Sequence, residues 1–265
     1  MSNDLVYDIG MNNGDDTAYY LYRGFRVLAV EADPVLVEKA RVRFAREIGE
    51  GRLIIKNAGI AEQEGELPFW ICEMHSEWSS FHRSIASREN SGHYSIDVPC
   101  IRFRSLIQEH GIPYYLKIDI EGNDHLCLRD LTPGTAPIHV SVEASDIGLL
   151  DQLRDLGYGR FQCISQFHYL PLERPPSLRQ LEFEERTRAN QSLSPLRELK
   201  GWRFNHGSSG PFGPELPGRW QNFEEMKETF SHFQALMRGG VATPFWNDRG
   251  YSFWADFHAT QSAPV

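Results

Sequence analysis

The sequence predicts an α/β fold: a mostly parallel sheet with helices on both faces and an insertion before the last strand. Two observations support this prediction. Short apolar runs alternate with amphipathic stretches from residue 5 to residue 164, and this spacing is typical of parallel strands joined by right-handed crossovers. A long stretch with irregular, aromatic-rich sequence then follows, before a final apolar run.

In the amino-terminal half we expect strands at 5–9, 26–30 and 53–55, an added strand at 67–71, and helices at 15–23 and 34–48. Gly24 is placed to end the first helix with a left-handed residue. Asp33 and Pro34 supply the N-cap and first residue of the second helix, in which apolar residues recur at helical spacing up to Phe44.

Farther along the chain we expect strands at 114–119, 138–143, 161–164 and 251–258, and helices at 123–131, 147–156 and 222–238. From about 170 to 220 the sequence is rich in Pro, Arg, Glu, Ser and Gly but carries several aromatic residues. A disordered linker does not normally carry so many aromatics, so we predict an ordered, irregular insertion. The single domain, 1–265, is therefore divided into a ligand-binding core (1–169), the insertion (170–247), and the last strand with its tail (248–265).

Composition argues against several classes of protein. Lys and Arg total 27 against 36 Asp and Glu, a net charge of −9. Such a charge repels phosphate backbones and anionic lipids, so we expect neither nucleic-acid nor membrane partners. We find no apolar run of bilayer length and no signal-peptide pattern at the start. The four cysteines are too widely spaced for a zinc knuckle or redox pair, and we expect a cytoplasmic protein with free thiols.

The turn after the first strand contains Gly10 and Gly14, at the sheet edge where doubly wound folds bind ligands. Glycines let the backbone approach a ligand closely, and the following helix offers free N–H groups. Glu31 ends the second strand, where an acid can accept hydrogen bonds from both ribose hydroxyls. This arrangement serves dinucleotides and S-adenosylmethionine alike.

The charge at this turn favours S-adenosylmethionine. The glycine spacing is Gly-x-x-x-Gly rather than the dinucleotide pattern, and Asp15 and Asp16 follow at once. Carboxylates repel a pyrophosphate, whereas they tolerate a ligand with an ammonium and a sulfonium group. Acids at helix N-termini also occur simply because they complement the helix dipole.

A second charged motif, Lys117-Ile-Asp119-Ile-Glu121, ends the fourth core strand. Residues at alternate positions of a strand point to the same side, so we expect these three side chains to cluster. A buried Lys–Asp pair can be purely structural. At the carboxyl end of a strand next to the glycine turn, the functional interpretation is favoured.

These motifs resemble those of the FkbM family of S-adenosylmethionine-dependent methyltransferases. The residues that carry the resemblance are Asp8-x-Gly10-x-Asn12-x-Gly14-x-x-Thr17, Glu31-x-Asp33-Pro34, Asn57-Ala58 and Lys117-x-Asp119-x-Glu121-Gly122. The resemblance implies a Rossmann-like class I methyltransferase fold with a seven-stranded sheet whose last strand is antiparallel. It also implies methyl transfer, usually to a hydroxyl of a sugar or secondary metabolite. The cofactor contacts it implies are Asp8, Gly10, Asn12, Gly14, Thr17, Glu31, Ala32, Asp33, Asn57, Ala58 and Asp119.

Transfer to a hydroxyl requires alignment of the acceptor and removal of its proton. As catalytic candidates we take Lys117 to hold the carboxylates, Asp119 to position the cofactor, and Glu121 or His206 to act as the base. In an alternative, Asp119 and Glu143 hold a divalent cation through carboxylate oxygens. We favour no required metal, because no Asp-Asp or Asp-Asn pair follows the fifth core strand.

The expected partner is a small-molecule hydroxyl acceptor. We expect Ser80 and Glu143 to contact it, and Trp202 and Phe212 of the insertion to stack on it as a lid. The insertion aromatics have two alternative roles, a satellite core or a homodimer interface. Two other functions remain open: an NAD-type dinucleotide-dependent oxidoreductase and a non-catalytic binding protein that keeps the cofactor fold.

Overall fold

Strands and helices alternate along the chain as the spacing of apolar runs predicts. The computed structural model describes residues 4–174, 177–238 and 254–261, and the chain divides into two units, 1–140 and 141–265. The first unit contains β1 (Leu5–Ile9), α1 (Asp15–Tyr22), β2 (Arg26–Glu31), α2 (Pro34–Arg43), α3 (Ala45–Gly49), β3 (Leu53–Asn57), β4 (Gly59–Ile60), β5 (Gly65–Cys72), α4 (Arg83–Ala86), β6 (His93–Ile101), α5 (Phe103–His110), β7 (Tyr115–Ile118) and α6 (Asp124–Arg129).

The boundary between the two units falls within β8 (His139–Glu143). The second unit continues with α7 (Gly148–Asp155), β9 (Arg160–Ser165), α8 (Leu178–Ala189), β10 (Glu198–Leu199), β11 (Trp202–Arg203), α9 (Phe223–Arg238) and β12 (Ala255–Thr260). In the described part of the interval between β9 and β12, where the insertion is predicted, the chain forms two short strands and two α-helices.

The central sheet has seven strands in the order β3-β2-β1-β7-β8-β12-β9. β1 pairs in parallel with β2 and β7, and β2 pairs in parallel with β3. The last strand, β12, runs antiparallel to β9. The predicted α/β class, with a mostly parallel seven-stranded sheet and an antiparallel last strand, is confirmed.

The strands at the centre of the first unit are buried on both of their alternating faces. Every residue of β1 is buried, as is every residue of β2 after Arg26. Continuous burial of this kind is expected where both faces of a parallel sheet are covered, and it explains why these strands read as unbroken apolar runs. The pairing places Asp8 opposite Lys117 and Glu31 opposite Asn57, which brings polar residues together near the carboxyl edge.

The helix predicted over 34–48 is divided in two. Phe44 leaves helical geometry with φ −110° and ψ 24°, and α3 begins directly after it. Its ring is buried and lies against Gly14, where an added Cβ would be 2.7 Å from the ring. The interruption therefore coincides with the packing of Phe44 under the first turn.

A small second sheet, in the order β4-β6-β5, lies between β3 and β7 along the chain. The sequence predicts β5 as an added strand at 67–71, but it does not predict β6 or α5. β6 has one largely solvent-exposed face, and only Val98 and Cys100 are fully buried in it. Its apolar signal is consequently weak.

In the second unit, α9 occupies 223–238 as predicted over 222–238, with Met226, Phe230 and Phe233 buried. The predicted last strand, 251–258, corresponds to β12, which runs on to Thr260; residues 251–253 lie outside the described residues. Residues 239–247 of the predicted insertion also lie outside them.

The helix α8 is absent from the sequence prediction, which treats its region as irregular. Among the residues of this helix and the turn after it whose side chains are described, the buried ones recur at helical spacing but are polar: Gln180, Glu184, Thr187 and Gln191. A polar inward stripe carries no apolar periodicity, so the usual signal for an amphipathic helix is missing. Among the described residues, no helix has both the length and the hydrophobicity that crossing a bilayer demands.

Candidate active site

The turn that follows β1 adopts left-handed backbone conformations at three positions: Gly10 (φ +84°), Asn12 (φ +48°) and Gly14 (φ +81°). Gly10 is pressed against the end of β7, because a Cβ there would lie 1.8 Å from the backbone oxygen of Asp119. Only glycine meets both requirements at this position. The turn and the residues after β7 therefore form one continuous surface.

A buried ion pair between Lys117 and Asp8 supports this turn. The Lys117 Nζ donates to the backbone oxygen of Gly10 at 2.7 Å, and it lies 3.2 Å from Asp8 Oδ1 and 3.8 Å from Asp119 Oδ2. Thr17 Oγ1 donates to Asp8 Oδ2 at 2.6 Å, and Asp8 and Thr17 are both fully buried. Burial alone would lower the pKa of Lys117, but the Asp8 and Asp119 carboxylates outweigh it and raise this pKa. Lys117 thus stays charged and holds the turn and the carboxylates in place.

Glu31 presents its carboxylate at the end of β2. Its Oε2 accepts a hydrogen bond from the backbone N–H of Asn12 at 2.8 Å, and its Oε1 accepts one from the N–H of Asp33 at 2.9 Å. Burial raises the pKa of Glu31 to about 6, although these two hydrogen bonds oppose the shift. Each carboxylate oxygen can accept a further hydrogen bond, so Glu31 can still bind hydroxyl groups.

Residues at the end of β3 fix the backbone around Glu31. The Asn57 side-chain amide donates to the backbone oxygens of Glu31 and Ala32, both at 3.0 Å, and the Ala58 N–H donates to the Glu31 oxygen at 3.0 Å. Ala32 and Ala58 line the cleft described next, whereas the Asp33 side chain caps α2. Asn57 and Asp33 therefore act on the local backbone.

An open cleft lies at the carboxyl ends of β1, β2, β3 and β7. Its lining residues are Gly10, Asn12, Val30, Glu31, Ala32, Ala58, Gly59, Ile60, Phe69, Ser76, Glu77, Ser79, Phe81, Asp119, Ile120 and Glu121. Four of these are carboxylates and none is a lysine or an arginine. The cleft thus combines apolar walls with an acidic lining, which suits a ligand that is partly apolar and positively charged.

Glu121 lies in a tight turn after β7. Its φ of +46° is unusual for a residue other than glycine. The Ser80 hydroxyl donates to the Glu121 backbone oxygen at 2.7 Å, and the Asp124 carboxylate accepts the N–H groups on either side of Glu121, at 3.0 and 3.1 Å. Burial, and then the charge of Asp119, raise the pKa of Glu121 to about 8, although Arg88 opposes this.

The second wall of the cleft is the part that the sequence describes least well. Phe69 of β5 packs edge-on against Phe81 at 5.1 Å, and Phe81 also lies against Gly59, where a Cβ would be 2.3 Å from its ring. Ser79 and Phe81, the two neighbours of the predicted acceptor contact Ser80, line the cleft. Phe69 is missed, although alternation within the predicted strand at 67–71 places it on an inward position.

The remaining residues predicted to act in catalysis or to contact the acceptor are Ser80 in the first unit and Glu143, Trp202, His206 and Phe212 in the second. The fully buried Ser80 accepts the His82 N–H as well as donating to Glu121, so it shapes the turn. Glu143 is the half-buried last residue of β8, Trp202 is half-buried in β11, and Phe212 is 3% exposed. His206 is exposed, and its ring lies 6.0 Å from that of Trp254.

A protein-family model matches the part of the chain that contains this site. The family model of the methyltransferase FkbM domain matches residues 8–159, more than half of the chain. No curated protein gives a significant match.

Several solved structures are similar at low identity. The methyltransferase FkbM from Methylobacillus flagellatus KT matches with 14% identity and a TM-score of 0.37, over 54% of this chain and 33% of that one. The chain thus spans about a third of that protein's length. A precorrin-6y C5,15-methyltransferase from Geobacter metallireducens GS-15 matches with 13% identity and a TM-score of 0.35, over 62% of this chain and 67% of that one. A putative sarcosine dimethylglycine methyltransferase from Galdieria sulphuraria matches with 8% identity and a TM-score of 0.38, over 97% of this chain and 77% of that one.

The matched region, 8–159, contains the first turn, the Glu31 carboxylate and the Lys117–Glu121 motif. The resemblance found in the sequence is confirmed, and the chain belongs to the FkbM methyltransferase family.

Proposed function

We propose that this protein transfers a methyl group from S-adenosylmethionine to a hydroxyl group of a small acceptor, a sugar or a secondary metabolite. The observation that carries the proposal is the acidic cleft at the carboxyl ends of four parallel strands. Glu31 lies at the end of β2, and Asp119 and Glu121 follow β7. Family membership supports the methyl transfer, and the cleft supports the cofactor and the acceptor chemistry.

The residues present fit S-adenosylmethionine. Like other small-molecule sites, the cleft combines apolar walls with a few polar groups. Glu31 retains acceptor capacity for the ribose hydroxyls, and Ala32, Ile60 and Phe81 supply apolar walls for a flat heterocycle. The carboxylate lining is complementary to a ligand that carries a sulfonium and an ammonium charge.

The same lining disfavours a dinucleotide. Arg43 donates to Asp15 at 2.8 Å and so offsets part of the charge at the helix start. A pyrophosphate is therefore disfavoured less by Asp15 than by Glu31, whose carboxylate faces the cleft and accepts hydrogen bonds from backbone N–H groups rather than from a cation.

The chain's own residues would divide the work as follows. When bound, S-adenosylmethionine supplies a methyl group on a positively charged sulfur. Lys117 fixes the backbone oxygen of Gly10 and the carboxylate of Asp119, so the cofactor-binding surface is held in place before the ligand arrives. Glu121 is the residue proposed to accept the proton of the acceptor hydroxyl, because its Oε2 is held by Arg88 and its pKa of about 8 makes it a competent base.

The first experiment tests the cofactor. Calorimetry with S-adenosylhomocysteine, the demethylated product, should give measurable binding, and NAD should bind far more weakly. Glu31→Ala should weaken product binding by roughly 1–3 kcal/mol, because the ribose hydroxyls lose their acceptor. Glu66→Gln, at an exposed position of β5, is the control and should bind as the wild type does. Preferential binding of NAD would overturn the cofactor assignment.

The second experiment tests the reaction. Methyl transfer from labelled S-adenosylmethionine is measured against a panel of monosaccharides and hydroxylated aromatic compounds. Glu121→Gln should keep product affinity and lower turnover about 10²-fold or more. If a substrate in the panel is methylated equally fast by Glu121→Gln and by the wild type, Glu121 is not the base. If labelled methyl groups are found on nitrogen or carbon instead of oxygen, hydroxyl transfer is wrong.

A further inference from the structure

One arginine contacts the carboxylate of Glu121 from outside the cleft. The Arg88 Nη1 donates to Glu121 Oε2 at 3.0 Å. The Arg88 side chain is 44% exposed and does not line the cleft, whereas that of Glu121 is 12% exposed and does. The guanidinium group therefore reaches the cleft wall from the solvent side and occupies one of the two carboxylate oxygens.

The backbone presents this arginine in a defined position. Its carbonyl oxygen accepts hydrogen bonds from the Ser91 N–H at 3.0 Å and from the Ser91 hydroxyl at 2.7 Å. The two residues between them, Glu89 and Asn90, have φ values of +55° and +58°. Residues held in such sparsely populated conformations are concentrated at functional sites.

The charges that face Glu121 explain why a cation is needed there. Asp119 and Asp124 both repel its negative charge, and Arg88 is the residue that opposes them. The nearby cation Lys117 is directed at Asp8 and at the first turn. Of the charged groups that act most strongly on the Glu121 carboxylate, Arg88 is the one that opposes this repulsion.

We infer that Arg88 is a positioning residue for methyl transfer: by holding Glu121 Oε2, it keeps Oε1 available to the acceptor hydroxyl in the cleft. The inference rests on the proposed function, since it deepens the role given there to Glu121. A surface ion pair without such a role would affect neither turnover nor acceptor binding, because exposed pairs contribute little.

The matched control is Arg83, a second exposed arginine on the same segment. Its guanidinium lies 5.1 Å above the ring of Trp70 and donates to His93, with no contact to Glu121. Arg88→Ala and Arg83→Ala therefore remove the same side chain from neighbouring turns, and only the first removes the contact with the proposed base.

The experiment compares kcat, KM for the acceptor, and S-adenosylhomocysteine affinity in Arg88→Ala, Arg88→Lys and Arg83→Ala. Arg88→Ala should lower kcat about tenfold or more through misplacement of the base, with product affinity unchanged. Arg88→Lys should keep part of the activity, and added guanidinium ion should restore part of it to Arg88→Ala. In the Glu121→Gln background, Arg88→Ala should have no further effect.

A direct readout of the contact does not require turnover. Unfolding of the cofactor-free protein by urea in wild type, Arg88→Ala, Glu121→Gln and the double variant forms a mutant cycle, which should show coupling between the two residues. Zero coupling, or an Arg88→Ala enzyme as active as Arg83→Ala, overturns the inference. A further loss of rate on adding Arg88→Ala to Glu121→Gln overturns it too. Failure of the proposed function looks different: the wild type itself then methylates no hydroxyl in the panel.

Discussion

Replacing Gly10 by alanine tests how the first turn and the end of β7 depend on each other. The backbone at Gly10 has φ +84°, which costs an alanine about 1–2 kcal/mol. The added Cβ would also lie 1.8 Å from the Asp119 backbone oxygen, 2.8 Å from its carbonyl carbon and 3.1 Å from Ile120 Cγ2. Since the first two atoms belong to the backbone, no side-chain rotation relieves the clash. Overpacking of this kind adds about 1–3 kcal/mol, so we expect a total of about 2–5 kcal/mol.

Gly24 provides the matched control. It has nearly the same backbone conformation, φ +85°, and an added Cβ would meet nothing within 4 Å. Gly24→Ala should therefore cost only the conformational contribution of about 1–2 kcal/mol. Urea unfolding measures both variants, and calorimetry with S-adenosylhomocysteine shows whether Gly10→Ala alone displaces Asp119 and abolishes binding. Equal destabilisation of the two variants, with product binding intact in both, would refute the close approach of the turn and β7.

Three further predictions concern charge and the insertion. Burial raises the pKa of Glu31 to about 6, so protonation of Glu31 stabilises the free protein at low pH, and this stabilisation is lost as the pH rises through about 6. The affinity for S-adenosylhomocysteine should increase over the same pH interval, because the ionised carboxylate is the better hydrogen-bond acceptor. Calorimetry across that range measures this change. Lys117→Met should destabilise the protein by about 3–5 kcal/mol in urea unfolding, since Asp8 is left buried and unpaired; changing both residues, with Asp8→Asn, should recover part of the loss. If the insertion covers the acceptor, Trp202→Ala should raise KM for the acceptor without changing product affinity, whereas the buried Phe212, replaced by Ala, should cost about 3–5 kcal/mol of stability.

The part of the cleft built by parallel strands is predictable from sequence. Carboxyl ends of neighbouring parallel strands meet at one edge, so a glycine turn after β1, an acid after β2 and charges after β7 are expected to converge. Gly10, Glu31 and Asp119 do line one cleft. The prediction works here because strand order and direction alone determine which residues share an edge.

The wall of the cleft opposite these strand ends cannot be predicted from the order of the parallel strands. Phe69 and Phe81 reach the cleft through pairing within the small second sheet and the segment after it. That sheet has one solvated face and includes a two-residue strand, β4. Neither feature leaves a strong apolar pattern, so sequence periodicity detects β5 alone. The helix α8 is missed for a related reason: its buried side chains, as far as the structure describes them, are polar, with Glu184 and Thr187 fully enclosed.

The Lys117–Glu121 motif shows where the strand argument stops applying. Alternation predicts that Lys117, Asp119 and Glu121 share one side, and the three do cluster. The charged atoms of Lys117 and Asp119 lie 3.8 Å apart, and carboxylate oxygens of Asp119 and Glu121 lie within 4.8 Å of each other. Strand β7 ends at Ile118, however, and Glu121 has a left-handed backbone. Its direction is therefore set by contacts with Ser80 and Arg88, which are 41 and 33 residues away in the chain. Spacing within the motif identifies the charged residues. The orientation of the Glu121 side chain, however, depends on the segment that contains Ser80 and Arg88, which lies outside the motif.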